Sequence, residues 1–250
     1  MANNWYHSTW KRLLFTIRES RLNVALVIPA LNEEESLGAV LGQVDRNLVN
    51  EIILVDGGSI DGTVAIAEAN GVRVIQEDQR GYGRACAVGV ANTQSEVIVF
   101  MDADGADDPT QISDLLTPIM RDEADMVLGS RLAGAISPGA MPWHQKFGNQ
   151  LSAGMIRFLY GLPISDLSPF RAVLRSKLQE LDMQEMTYGW PTEMITKAAR
   201  RGWRILEVPV NYHPRIGGRS KISGTVRGTV LATYYIMRTI IKFSWSKDLQ

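Results

Sequence analysis

The chain has 250 residues, enough for one α/β domain with a C-terminal extension or for two small domains. With 45% hydrophobic and 21% charged residues it can bury an ordinary core. A formal net charge of -1 excludes the bulk basic signature of a nucleic-acid binder, so anion recognition has to be local.

The first twenty residues mix Trp5, Trp10, Leu13, Leu14, Phe15 and Ile17 with Lys11, Arg12 and Arg18. That mixture suits an amphipathic helix with an aromatic, basic-flanked face, lying either on a membrane or on the protein's own body. It lacks the basic start and uninterrupted apolar stretch of a secretory signal, so export is not expected. From Val24 the pattern becomes regular. Apolar, β-rich runs at 24–29, 51–56, 72–76, 97–102 and 126–129 read as strands. Helical segments at 33–44 and 63–69 separate the earlier ones, and this alternation predicts a mostly parallel sheet covered on both faces. Ligands of such sheets bind beyond the carboxyl ends of the strands, and polar, acidic or Gly-rich residues do follow Ile28, Val55 and Met101.

Beyond Arg131 the small, Gly- and Pro-rich run 133–142 reads as a mobile loop. A helix is expected over 146–160, with Phe147, Leu151, Met155, Phe158 and Leu159 near one face. A strand at 170–174, a helix at 192–200 and a strand at 204–210 follow. Then comes the run HPRIGGRSKISGT, and a further amphipathic helix over 225–243. The nearest approach to a membrane span, 230–241, is interrupted by Arg238 and falls short of roughly 18 apolar residues. The lone Cys86 excludes an internal disulfide framework and fits a reducing compartment. The expected organisation is an amphipathic segment at 1–22, a central domain at 23–224 and an amphipathic helix with tail at 225–250.

The chemistry concentrates at strand ends. Asp102 and Asp104 leave the fourth strand flanking Ala103, and two carboxylates so placed can share one hard cation with the diphosphate oxygens it bridges. Asp56 ends the second strand before Gly57-Gly58, where its carboxylate can accept from a nucleobase N–H or a ribose hydroxyl. Asp61 or Thr63 caps the next helix. After the first strand, Glu33, Glu34 and Glu35 suit a helix N-terminus but repel a diphosphate, so this turn favours a base or ribose. The G-x-G-x-x-G fingerprint of a nicotinamide or flavin site is missing there. Arg84, in RGYGRA, can face a donor phosphate. Arg131, Arg171, Arg215, Arg219 and Lys221 supply cations for phosphate. His7, His144 and His213 show no metal spacing.

In order, the motifs VIPALNEEES, VDGGSIDGT, RGYGRA, MDADGADDP, LGSR, DLSPFRA, GWPTEM and EVPVNYHPRIGGRSKISGT resemble glycosyltransferase family 2, from about Val24 to Thr229. The similarity is greatest to its dolichol- and polyprenyl-phosphate mannosyl- or glucosyltransferases. The resemblance implies a GT-A, Rossmann-like α/β fold, with the C-terminal amphipathic helix appended. It implies an inverting transfer of a hexose from a nucleotide-sugar, GDP-mannose or UDP-glucose in type, to a polyprenyl or dolichyl phosphate, with Mg²⁺ or Mn²⁺. Pro29, Ala30 and Glu33 would surround the nucleotide and Asp56 would read the base. Asp102, Ala103 and Asp104 would hold the metal-bound diphosphate. Arg131 and Arg171 would meet the acceptor phosphate, and Arg219 with Lys221 would close over the donor. An anionic acceptor needs no strong base, so catalysis is positioning plus stabilisation of the leaving diphosphate.

The chain departs from that pattern twice. A hydrophobic residue and a metal-holding Gln commonly follow the second Asp; here stand Gly105 and Ala106, leaving Asp107 or Asp108 to compensate. In DLSPFR, Pro169 stiffens the turn that carries Arg171. Two rival readings follow. One is transfer to a hydroxyl, with Glu193 of GWPTEM as the base. The other is a non-catalytic nucleotide-sugar sensor. The expected location is cytoplasmic, with peripheral attachment to a membrane's cytoplasmic face left open.

Overall fold

A computed structural model describes residues 22–217 and 226–244. The segment 1–21, the tail 245–250, and Arg219 and Lys221 lie outside the described residues. The chain runs β1 (Val24–Ala30), α1 (Glu34–Gln43), β2 (Glu51–Asp56), α2 (Thr63–Ala69), β3 (Arg73–Gln76), α3 (Tyr82–Ala91) and β4 (Val97–Phe100). A 3-10 turn (Pro109–Gln111) leads into α4 (Ile112–Met120) and β5 (Met126–Ser130). Then come α5 (Trp143–Tyr160), β6 (Arg171–Leu174), α6 (Arg175–Glu180), α7 (Trp190–Arg200), β7 (Ile205–Pro209) and α8 (Val226–Ser244).

Every strand read from the sequence forms, with ends shifted by at most two residues. Helices α4 and α6 have no counterpart in the sequence reading. Pro118 inside α4 is a helix-breaking signal that the last turn here tolerates, and α6 is too short to show a period.

The strands form one seven-stranded sheet in the order β3-β2-β1-β4-β6-β5-β7. All neighbours are parallel except β6, which runs antiparallel between β4 and β5. Both faces of the sheet are covered, which is why its inner strands read as continuous apolar runs. Along β1, Val24, Leu26 and Ile28 pack with Leu37 and Val40 of α1 and Leu115 and Ile119 of α4. Ala25 and Val27 point the other way, toward Ile156 of α5, Trp190 and Met194 of α7 and Ile240 of α8. The C-terminal helix is therefore part of the globule: its Thr239, Ile240 and Phe243 are buried. The 133–142 loop, expected to be mobile, is held by backbone bonds between Ala135, Ser137 and Tyr212, and Gly134 lies directly against Val210.

Close approach of α3 to β1 depends on Gly89, where an added Cβ would sit 2.4 Å from Cγ1 of buried Val27. Gly154 in α5 is the reverse case, with nothing within 4 Å of an added Cβ. Alanine is better than glycine in a helix by about 1 kcal/mol, whereas overpacking a core costs about 1–3 kcal/mol. Gly154→Ala should therefore raise the melting temperature and Gly89→Ala should lower it. A stabilised Gly89→Ala protein in thermal denaturation would contradict this packing.

Candidate active site

The carboxyl ends of β1, β2, β4, β5 and β7 point to one edge of the sheet, where open α/β sheets bind ligands. Because β6 is reversed, it delivers its amino end to that same edge: Arg171 pairs with Phe100 in register. The loop 165–170 thereby joins the strand ends. A cleft of about 540 Å³ opens there, and it is lined by most of the residues that sequence reasoning singled out. Pro29, Ala30 and Glu33 come from the end of β1, Asp102 to Asp104 from β4, and Arg131 from β5.

The turns after β1 and β2 are stitched together. Asn32, at φ 52, accepts from the Ile60 amide and its own amide donates to Ser59. The Glu33 amide donates to Thr63 Oγ1, while Asp61 accepts from the Thr63 amide and hydroxyl at the mouth of α2. Both turns are thus fixed by short polar side chains.

After β4 the chain turns at Gly105, whose φ of +73 and whose contact with Ile216 leave no room for a side chain. The segment 211–217 lies across this turn, bonded through His213 N–H to Ala106 O and Ile216 N–H to Asp104 O. It brings Arg215 to 2.7 Å from Asp104 and 3.9 Å from Glu33. Burial and the charge of Asp104 hold the Asp102 carboxyl above the usual carboxylate range. The Arg215 and Arg131 guanidiniums offset part of that rise by favouring the ionised carboxylate. That is the electrostatic setting in which a divalent cation fits. Among the described residues no three His, Cys, Asp or Glu side chains converge as a metal cage. The donor set suits an ion bound by one or two carboxylates and completed by ligand oxygens.

The two neighbouring acids divide their roles. Asp108 accepts from the Thr110 amide and caps the 3-10 turn. Asp107 is buried on the cleft wall and its Oδ1 has no hydrogen-bond partner among the described residues. Burial, with Asp102 and Asp104 nearby, pushes its carboxyl well above the ordinary range.

On the cationic side, Arg131 forms a fork with Asp166 at 2.8 and 2.7 Å, and its guanidinium lies 5.0 Å over the Tyr212 ring. Asn149 also donates to Asp166, and Glu207 accepts from the amides of Ser165 and Asp166. Asn149, Tyr82, Arg80 and Tyr212 line the cleft and Asp166 holds Arg131 from behind; the motif reading gave none of these five a role. All but Asn149 lie within the family-like motifs: Arg80 and Tyr82 in RGYGRA, Asp166 in DLSPFRA and Tyr212 in EVPVNYHPRIGGRSKISGT.

Four expected site residues, Arg171, Glu193, Asp56 and Arg84, do not line the cleft. Arg171 is 1% exposed and its guanidinium donates to the carbonyls of Ser168, Pro169 and Pro191, so it braces the cleft floor instead of meeting a phosphate. Burial pulls its pKa down to about 10, which leaves it charged at neutral pH. Glu193 is fully buried; its carboxylate accepts from the Gln184 and Glu185 amides and pairs with Lys197 at 2.6 Å. It has neither access nor a vacant oxygen for base catalysis. Asp56 directs both oxygens to Gly58 and Ser59 of its own turn. Arg84 does not line the cleft, whereas Arg80 does.

Comparison with known proteins agrees with this architecture. The model of glycosyl transferase family 2 matches residues 25–182. An uncharacterized glycosyltransferase of Mycobacterium tuberculosis is 36% identical over 211 residues, covering 84% of this chain and 94% of its own. A dolichyl-phosphate hexose transferase of Haloferax volcanii is 34% identical over 200 residues, covering 78% and 85%. The crystal structure of glucosyl-3-phosphoglycerate synthase from M. tuberculosis, in complex with Mn²⁺, UDP and glucosyl-3-phosphoglycerate, superposes with a TM-score of 0.75 at 22% identity. That superposition covers 94% of this chain and 84% of the other, which makes the fold GT-A. With the family model spanning more than half of its length and relatives matched nearly end to end, this chain belongs to glycosyl transferase family 2.

Proposed function

We propose that this glycosyltransferase moves a hexose from a nucleotide-sugar to a polyprenyl phosphate, inverting the anomeric carbon. The observation that carries the reading is the pairing, within one cleft, of an acidic cluster at the end of β4 with the Arg131 fork at the end of β5. Asp102 and Asp104 would hold Mg²⁺ or Mn²⁺. Such an ion would neutralise charge on the leaving diphosphate. Arg131, pre-oriented by Asp166, would position the acceptor phosphate, and Pro29, Ala30 and Glu33 would flank the nucleotide. A phosphate oxygen is already nucleophilic near neutral pH, so the chain's contribution is orientation and charge placement. The name of the H. volcanii relative supports a lipid-phosphate acceptor. The Mn²⁺ and UDP bound in the structural neighbour are in keeping with a metal-assisted nucleotide-sugar reaction. The engaged carboxylate of Glu193 weighs against the hydroxyl-acceptor reading.

The deciding experiment supplies a panel of UDP- and GDP-sugars, Mg²⁺ or Mn²⁺, and a short soluble prenyl phosphate, and follows nucleoside diphosphate release. Release should need both metal and acceptor, and Asp104→Asn should lower it by about a hundredfold or more. Release that responds to a small phosphorylated acid but not to the prenyl phosphate would replace the lipid acceptor with a soluble one.

Arg215 competes for Asp104 when no donor is bound. Arg215→Gln should therefore tighten Mn²⁺ binding to the donor-free protein in titration calorimetry. Weaker binding would mean that Arg215 organises the acids instead of occupying them.

Glu193→Gln should lower stability by about 3 kcal/mol in urea denaturation, because Lys197 loses its buried partner. The folded fraction should keep its turnover with the prenyl phosphate. Loss of kcat with unchanged stability would restore Glu193 as a base.

A further inference from the structure

We propose that the outward face of α5, with α8 alongside, is a docking surface for an anionic lipid bilayer, oriented so that the cleft opens at the headgroup layer. This rests on the lipid-phosphate acceptor reading above. Trp143, Phe147, Leu151 and Phe158 of α5 fall on one stripe at 100° per residue. They are heavily exposed: Trp143 by 76%, Phe147 by 63% and Phe158 by 87%. The opposite side of the helix, with Gly148, Ser152 and Ile156, is buried in the domain, so the stripe is not a misassigned core face. Scattered exposed apolar residues need no explanation, but a continuous aromatic stripe does.

The second observation is charge. Neither α5, 18 residues long, nor α8, 19 residues long, contains a single Asp or Glu, although the chain has 27. Lys146 and Arg157 on α5 and Arg238 and Lys242 on α8 are exposed beside the apolar positions. Aromatic side chains with cations and no acids are the composition that settles at an anionic lipid interface. Neither helix is long and apolar enough to cross a membrane, so the contact is lateral.

The third observation is continuity with the site. α5 and α8 pack side by side in the same direction, Ser152 meeting Met237 and Tyr160 meeting Ser244. Their amino-terminal halves enter the cleft wall, through Gln145 and Asn149 of α5 and Thr233 and Ile236 of α8. On α8, Val230 and Tyr234 are exposed next to those wall residues. A phosphate on a lipid tail could thus reach the cleft while its tail stays with the bilayer.

Two other occupants fit less well. A two-fold pairing of copies sets the same patch against itself and faces cations with cations. The segment 1–21 carries Lys11, Arg12 and Arg18 beside its own aromatic residues, so it repeats the patch's charge instead of complementing it.

The test uses the full chain with phosphatidylcholine vesicles, with and without phosphatidylglycerol, in a flotation assay. Binding should require phosphatidylglycerol, weaken with salt, and fall by roughly a hundredfold in Phe147→Asp/Phe158→Asp. Lys146→Glu/Lys242→Glu, which leaves the apolar stripe intact, should lose only the preference for anionic lipid. Trp5→Ala/Trp10→Ala should bind as the parent does. Transfer to a short soluble prenyl phosphate should be unchanged in the Asp variant, while transfer to a long-chain prenyl phosphate held in vesicles falls. Binding lost in Trp5→Ala/Trp10→Ala but kept in the Asp variant would overturn the assignment in favour of the N-terminal segment. A dimer that the Asp variant dissociates, without vesicle binding, would make the stripe an interface between copies. Soluble transfer without any vesicle binding would remove this inference and leave the proposed function standing; vesicle binding without transfer to either acceptor would do the opposite.

Discussion

Arg131 and Asp166 meet through a two-point fork, with side-chain exposures of 8% and 0%. An unpaired charge at such depth costs several kcal/mol, and the pair holds only because its remaining hydrogen-bonding capacity is also met. Asp166 takes further bonds from the Arg131 amide and Asn149, and Glu207 grips the backbone at 165–166. Burial alone would push the Asp166 carboxyl up, but the charge and hydrogen bonds of Arg131 outweigh it and keep it below the usual range. One ion pair therefore ties together β5, β7, α5 and the loop that feeds β6. Loosening it would release the cleft wall and the entry of the reversed strand together.

Most of the sheet was legible because its signals are local. Runs such as VALVIPA and EIILVD carry strand propensity on both faces, and Asp102 and Asp104 announce themselves by following one. What was hidden depends on partners far along the chain. Nothing in RAVL says that it inserts backwards between β4 and β5. Glu193, a candidate base by its motif, sits in the interior paired with Lys197, because the 181–185 loop folds over both. Arg171 looked like a phosphate ligand by its motif; its donors go to carbonyls of two segments, one of them twenty residues away. Amphipathicity was visible in 146–160, but which apolar side would be buried was not.

The turn after β4 shows how a departure in sequence can be absorbed. With Gly105 and Ala106 in place of bulkier residues, the space above the turn is taken by Ile216 from the strap at 211–217. The same strap carries Arg215 to Asp104, so packing and electrostatics at the acidic end are set by one segment.

The reversed position of β6 also has a consequence for synthesis. The edge of β4 that β6 covers stays open until residues 171–174 have been made, because no earlier strand pairs there. At about 5–20 residues per second, the roughly seventy intervening residues take several seconds to emerge. The aromatic residues of α5 leave the ribosome within that interval. A nascent chain therefore presents an unpaired strand edge and an apolar helix together, a combination that favours association with other chains or with chaperones. The feature that closes the sheet in the finished protein makes its second half the vulnerable stage of its production.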